Sequence, residues 1–126
     1  MSKRILFVDD DISLVNATEM LLSRLGYSVE AHHDAEIALA RLVANPQSYS
    51  VLICDARMAR VSGVDLANVI KLIAPDMPVI LCSGYFTAAD VQKANAAGIT
   101  ELVDKPYSGA QLKSVIDRVL TRQNET

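Results

Sequence analysis

The chain reads as a single α/β domain over residues 1–126, a doubly wound, five-stranded parallel sheet with five helices. Short apolar runs alternate strictly with helix-period patterns along its length, which is the mark of serial βα units with right-handed crossovers and helices on both faces. A hydrophobic fraction of 51% with only 5% aromatic residues places the apolar content in Val, Ile, Leu and Ala, as a buried parallel sheet requires. The length of 126 residues is close to the modal domain size and suits one core, with no second domain.

Each element follows from local chemistry. Ile5 to Val8 is the first strand, and Leu14, Ala17, Leu21 and Leu25 recur at helical spacing until Gly26 stops the first helix. Ser28 to His32 forms a short second strand. Asp34 caps a second helix with an inward stripe of Ala35, Ala38, Leu39 and Leu42, ended by Asn45-Pro46. Val51 to Cys54 is the third strand. Ser62 with Asp65 reads as a capping box, and Leu66, Val69, Ile70 and Ile73 form the next stripe before Pro75. Val79 to Cys82 is the fourth strand. Thr87 with Asp90 opens an alanine-rich helix that Gly98 terminates, and Thr100 to Val103 supplies the fifth strand. Ser108 with Gln111 caps the last helix, whose stripe of Leu112, Val115, Ile116, Val119 and Leu120 fits a 3.6-residue period. The polar residues after Thr121 are expected to fray.

A net charge of −3 lacks the basic field that sequence-independent phosphate-backbone binding needs, so direct nucleic-acid binding is not expected. The N-terminal Met-Ser-Lys-Arg leads into strand-like sequence without an apolar signal region, and no apolar run is long enough to span a bilayer. The expectation is a cytoplasmic protein with no membrane segment. Cys54 and Cys82 fall inside apolar runs, where free thiols act as small buried hydrophobes.

The strand ends fall near Asp9, His32, Asp55, Ser83 and Lys105, at intervals of 22 to 28 residues. In a parallel sheet those ends converge on one edge, so acids, a hydroxyl and a lysine distant in sequence share one small pocket. In a doubly wound order 2-1-3-4-5 the second strand is an edge, which sets His32 and His33 to one side as ordinary surface histidines. Several carboxylates held close together repel one another and raise their own pKa values. A divalent cation removes that penalty, and all-oxygen ligands with few carboxylates favour Mg2+ alongside phosphate oxygens. Capping alone would need one aspartate, at about 1 kcal/mol, whereas Asp9, Asp10 and Asp11 supply three.

These motifs resemble the receiver domains of two-component response regulators, which share the flavodoxin-like, CheY-type fold. ILFVDD resembles the family's first strand with its acidic pair, VLICDARM with Gly63 the phosphoacceptor strand and loop, VILCS the hydroxyl strand and DKP the lysine-proline turn. The resemblance covers essentially the whole chain. It implies that Asp55 takes a phosphoryl group from the phosphohistidine of a sensor histidine kinase or phosphotransfer protein. It further implies that Asp9, Asp10, Asp55 and the backbone carbonyl of Arg57 hold Mg2+, that Ser83 and Lys105 meet phosphoryl oxygens, and that the Lys105-Pro106 peptide is cis. Such a protein is a phosphoacceptor that assists its own phosphorylation and dephosphorylation rather than an enzyme. Its output would be a face of the fourth helix, fifth strand and fifth helix, involving Ala88, Val91, Leu102, Lys113 and Arg118, read by a downstream protein effector or through dimerisation on phosphorylation.

Three positions depart from the family pattern. Met58-Ala59 stands where Met-Pro is common, and the loss of a φ-fixing residue leads us to expect a more mobile acceptor loop. Leu102 stands three residues before the lysine, where an aromatic switch residue is frequent, so a rotating tyrosine is not present there. Ser83-Gly84 replaces a frequent threonine and alanine, which keeps the donor and loses the stiff β-branched rotamer. Arg57 and Tyr85, two residues beyond the acceptor and the hydroxyl, are candidates for tuning the lifetime of phospho-Asp55.

A second reading belongs to another class. Asp9 and Asp11 resemble the D-x-D motif of haloacid-dehalogenase-like phosphatases, with Asp9 as nucleophile, Asp11 as acid/base, and Ser83 and Lys105 in support. No acidic metal-binding motif follows Lys105, however, and Asp55 has no role in that scheme.

Overall fold

A computed structural model describes residues 3–99 and 101–124, with side chains through Arg122. The sheet has the order β2-β1-β3-β4-β5, from β1 (Arg4–Val8), β2 (Val29–His32), β3 (Tyr49–Asp55), β4 (Val79–Ser83) and β5 (Glu101–Asp104), all pairs parallel. Between them run α1 (Ile12–Arg24), α2 (Ala35–Ala44), α3 (Gly63–Ile73), α4 (Ala88–Ala96) and, last, α5 (Gly109–Asn124). Thr100, read as the first residue of the fifth strand, lies outside the described residues. The last helix continues beyond Thr121 to Asn124, one turn further than its polar sequence suggested.

Side-chain alternation along the strands separates two cores. Leu6, Val8, Leu52, Cys54, Val79 and Leu81 pack with α2, α3 and α4, while Ile5, Phe7, Val51, Ile53, Ile80 and Cys82 pack with α1 and α5. Because both faces of the sheet are covered, the central strands are apolar throughout Ile5 to Val8, Val51 to Cys54 and Val79 to Cys82. The polar side chains of these central strands therefore lie at or next to their ends.

The caps inferred from sequence are formed. Asp34 accepts from the Glu36 and Ile37 amides, and Ser62–Asp65 and Thr87–Asp90 make reciprocal capping boxes. The Ser108 amide donates to Gln111 Oε1 at 2.7 Å while Ser108 Oγ accepts from the Gln111 amide at 3.1 Å. Gly26, at φ 98°, ends α1 as expected.

The inner face of α1 is rotated from the expected one. Val15, Thr18 and Leu22 are buried, whereas Ala17 is exposed and Leu14 and Leu21 are half-buried. Thr18 sits inward because its hydroxyl shares a 3.0 Å hydrogen bond with the Tyr107 phenol, so one position of the stripe is polar and the apolar pattern is misleading. A second buried polar group, Glu30, gathers Arg41, His32, Tyr49 and Arg4 around one carboxylate. The Arg41 hydrogen bonds, working against desolvation, hold this carboxyl far below the usual carboxylate range.

Gly63 fixes how α3 meets the end of β3. A Cβ there would meet Leu81 and come 2.5 Å from the Asp55 carbonyl oxygen, so the start of α3 lies against the backbone of β3 as only glycine allows. Gly84 has nothing within 4 Å of the corresponding point. Gly63→Ala is expected to lower stability by about 1–3 kcal/mol through overpacking and to shift the amide signals around Asp55, with Gly84→Ala changing neither. Denaturant unfolding and 1H–15N spectra of the two variants check this, and equal behaviour would contradict the packing account.

Candidate functional site

The site is assembled by strand register at the C-terminal edge of the sheet. Val8 pairs with Cys54 and Asp55 with Cys82, which sets Asp9 beside Asp55. Ser83 pairs with Asp104, and the Lys105 amide donates to the Ser83 carbonyl at 2.8 Å. The Lys105-Pro106 peptide is cis, as the family resemblance implied.

Lys105 Nζ lies between two carboxylates, 2.6 Å from Asp9 Oδ2 and 2.8 Å from Asp55 Oδ1. Asp9 is 2% exposed. A buried carboxylate of this kind is tolerable only when paired. Burial pushes the Asp55 carboxyl above its ordinary value, and the Lys105 hydrogen bond opposes that shift. For Lys105 itself, burial favours the neutral amine but is outweighed by the bonds to Asp55 and Asp9, so its pKa is raised and the ammonium is retained.

Asp10 completes the cluster. One oxygen each from Asp9, Asp10 and Asp55 lie within 4.8 Å of one another. Three carboxylates against one ammonium leave an excess of negative charge, and all the donors are hard oxygens, so the group fits a small divalent cation such as Mg2+. His32 is bonded to Glu30 instead, at 2.8 Å, and His33 is exposed. Among the described residues no histidine joins an acidic cluster of this kind.

Asp11 is occupied otherwise. Its side chain accepts from the Leu14 amide at 3.2 Å as the N-cap of α1, and its own amide donates to Asp9 Oδ1 at 3.0 Å. The second aspartate of the alternative D-x-D reading is thus spent on the helix.

The loop after Asp55 is tied at several points. The Arg57 amide donates to Asp55 Oδ2 at 3.3 Å, and the Ala59 amide to Asp10 Oδ2 at 3.3 Å. A proline at position 59 would have no hydrogen to give, so the departure that suggested mobility also supplies a tether to the acidic cluster. Arg60 adopts φ 67°, a left-handed conformation costing about 1–2 kcal/mol in a non-glycine residue. Its guanidinium pairs with Glu36 and, at 3.8 Å, with Asp34, at the start of α2.

Ser83 is 3% exposed, and its hydroxyl is engaged by Tyr85 and Arg57. It donates to the Tyr85 carbonyl at 2.9 Å and accepts from the Tyr85 amide at 3.2 Å and from Arg57 Nη1 at 3.0 Å. Sequence reasoning marked Arg57 and Tyr85 but missed Asp90, whose carboxylate receives Arg57 Nη2 at 2.5 Å. The Thr87–Asp90 capping box was visible in the sequence; the use of the same carboxylate by a residue 33 positions away was not. Both cysteines are buried and free, with burial pushing Cys54 well above its ordinary pKa and Cys82 up to about 12. No helix among the described residues is long and apolar enough to cross a membrane.

An acidic cluster with a paired lysine at the strand ends of a 2-1-3-4-5 sheet defines a receiver-type signalling domain. Residues 5–117 match the response regulator receiver domain, and the chain belongs to that family. It is 28% identical over 122 residues to the transcriptional regulatory protein ZraR of Salmonella typhimurium, covering 97% of this chain and 27% of ZraR. It is 35% identical over 116 residues to the DNA-binding transcriptional regulator NtrC of Azospirillum brasilense, covering 92% of this chain and 24% of NtrC. The chain thus spans about a quarter of the length of these relatives. Among solved structures, a response regulator receiver domain protein of Clostridium thermocellum superposes with a TM-score of 0.91 at 28% identity, covering 98% of both chains. The chemotaxis protein CheY4 of Vibrio cholerae superposes with a TM-score of 0.86 at 25% identity, covering 94% of this chain and 99% of that one.

Mg2+ at saturating concentration is expected to raise the thermal midpoint, corresponding to about 2.7 kcal/mol at a hundredfold excess over Kd. Asp10→Asn, at an exposed position, should fold normally and lose most of that increment. Calorimetry with and without Mg2+ tests this, and an unchanged increment in the variant would remove Asp10 from the ligand set.

Proposed function

We propose that this receiver domain accepts a phosphoryl group on Asp55 from the phosphohistidine of a sensor histidine kinase or phosphotransfer protein, with Mg2+ held at Asp9, Asp10, Asp55 and the Arg57 carbonyl. The observation that carries this reading is the position of Asp55. Its carboxylate is half-buried at the end of β3, touches Lys105, and lies within 4.8 Å of both other acids. It is the acid of the cluster that terminates a central strand, and it is less buried than Asp9.

In the transfer, an Asp55 oxygen forms a bond to phosphorus as the histidine nitrogen–phosphorus bond breaks, and the imidazole leaves. Charge spreads over three equatorial oxygens, so positioning and neutralisation do most of the work. The bound cation supplies charge neutralisation at those oxygens. Lys105 is already within hydrogen-bond distance of Asp55 and needs only to exchange a carboxylate for a phosphoryl oxygen. Ser83 must release the Tyr85 carbonyl before its hydroxyl can donate to the new group.

The new group adds about −1.5 to −2 charge at an edge where several loops meet. The output reading fits a shallow groove between β5 and α5, lined by Leu102, Pro106, Ala110 and Val115. Of the residues assigned to that face, Arg118 pairs with Glu101 on β5, whereas Lys113 lies 5.7 Å from the Tyr27 ring centroid on the α1 side. A downstream protein effector, or a second copy on phosphorylation, would read the face around Leu102 and Arg118. The loss of Asp11 to helix capping weighs against a phosphatase built on Asp9.

Incubation with acetyl phosphate and Mg2+ is expected to add one phosphoryl mass to the wild-type chain and none to Asp55→Asn. Intact-mass spectrometry decides it. Turnover of phosphomonoesters that survives Asp55→Asn and is lost in Asp9→Asn would replace this reading with the phosphatase one.

A further inference from the structure

Arg57 is the residue in which the acceptor loop and the start of α4 meet. Its Nη1 donates to Ser83 Oγ and to the Tyr85 carbonyl, both at 3.0 Å, while its Nη2 reaches Asp90 Oδ2 at 2.5 Å. That same Asp90 oxygen accepts the Thr87 amide at 2.8 Å, and the Asp90 amide donates to Thr87 Oγ1 at 3.0 Å. One guanidinium therefore holds the β4 hydroxyl, the backbone of the β4–α4 loop and the capping carboxylate of α4.

Ser83 is saturated in this arrangement. A hydroxyl has one hydrogen and two lone pairs, and here the hydrogen goes to the Tyr85 carbonyl and the lone pairs to Arg57 and the Tyr85 amide. A phosphoryl group on Asp55 needs that hydrogen. It also brings a larger negative charge than the one carboxylate charge of Asp90, beside the backbone of Arg57 itself, whose amide already reaches Asp55 Oδ2. Arginine forks match phosphate oxygens in pairs. Asp90 keeps its capping box without Arg57, so the pair can open without unfolding the helix. Leu102, half-buried against the α2–α4 core, has no hydroxyl or ring dipole with which to relay the change.

Resting on the phosphoacceptor reading, we propose that Arg57 is a positioning residue that couples Asp55 to α4. In the unphosphorylated chain it latches Ser83 and Asp90 together. A phosphoryl group on Asp55 competes with Asp90 for the guanidinium as Ser83 turns, and α4 is released from the acceptor edge.

Beryllofluoride with Mg2+, as a phosphoryl surrogate on the full chain, tests the coupling. Bound beryllofluoride is counted by 19F NMR, and amide hydrogen exchange is followed at Thr87, Asp90 and Val91. In the wild type, exchange there should accelerate about tenfold on binding. Arg57→Ala should start fast and change less than about twofold on binding. Asp90→Asn, which keeps an oxygen for the Thr87 amide and loses the charge, should behave like Arg57→Ala and carries the test should that variant fold poorly. Bound beryllofluoride with a wild-type-sized response of α4 in both variants overturns the coupling alone. Absence of bound beryllofluoride in the wild type overturns the phosphoacceptor reading and the coupling with it.

Discussion

The ammonium of Lys105, held between the carboxylates of Asp9 and Asp55, is the contact around which this site is organised. Two acids close together at a sheet edge, one of them almost fully buried, would repel each other and resist ionisation without a cation between them. The lysine is delivered by the end of β5, two strands away from Asp55 in the sheet, so the pairing depends on the whole strand order. A register slip in any central strand would separate the three groups. The two apolar cores matter to function chiefly because they prevent such slips.

The arrangement is electrostatically incomplete by design of its residues. Asp10 adds a third carboxylate that no described lysine or arginine pairs with, and its oxygen meets the Ala59 amide instead. Surplus negative charge and hard oxygen donors account for the fit to a divalent cation. The same loop is tied to α2 through Arg60, and to β4 and α4 through Arg57. Ion pairs at this exposure contribute little to stability. Their consequence is geometric, since they tie the loop after Asp55 to α2, β4 and α4.

Much of this was legible in the sequence because strand ends in a parallel sheet are periodic. Asp9, Asp55, Ser83 and Lys105 could be placed on one edge from spacing alone, and the capping boxes follow from local pattern, whereas the order 2-1-3-4-5 came from the resemblance to the CheY-type fold and is found in the sheet. The inner face of α1 was not, because Thr18 is polar and is buried only through its partner Tyr107, 89 residues away. Glu30 was hidden for the same reason, its burial depending on Arg41 and Tyr49. The contacts of Arg57 with the Ser83 hydroxyl and with Asp90 are also non-local, since a long flexible side chain can satisfy several partners and its sequence position does not say which. The replacement of proline by Ala59 shows the limit differently. Entropy alone argued for a looser loop, while the freed amide found an acceptor in Asp10.

The proposed phosphoacceptor role depends on Asp55, and not Asp9, being the acid that reacts. Borohydride reduction of the acetyl-phosphate-treated chain converts an aspartyl phosphate to homoserine, and peptide sequencing by mass spectrometry then locates the altered residue. Homoserine at position 55 is the expected result. Homoserine at position 9, with Asp55 unmodified, would contradict the assignment of Asp9 to the metal site and of Asp55 to the chemistry.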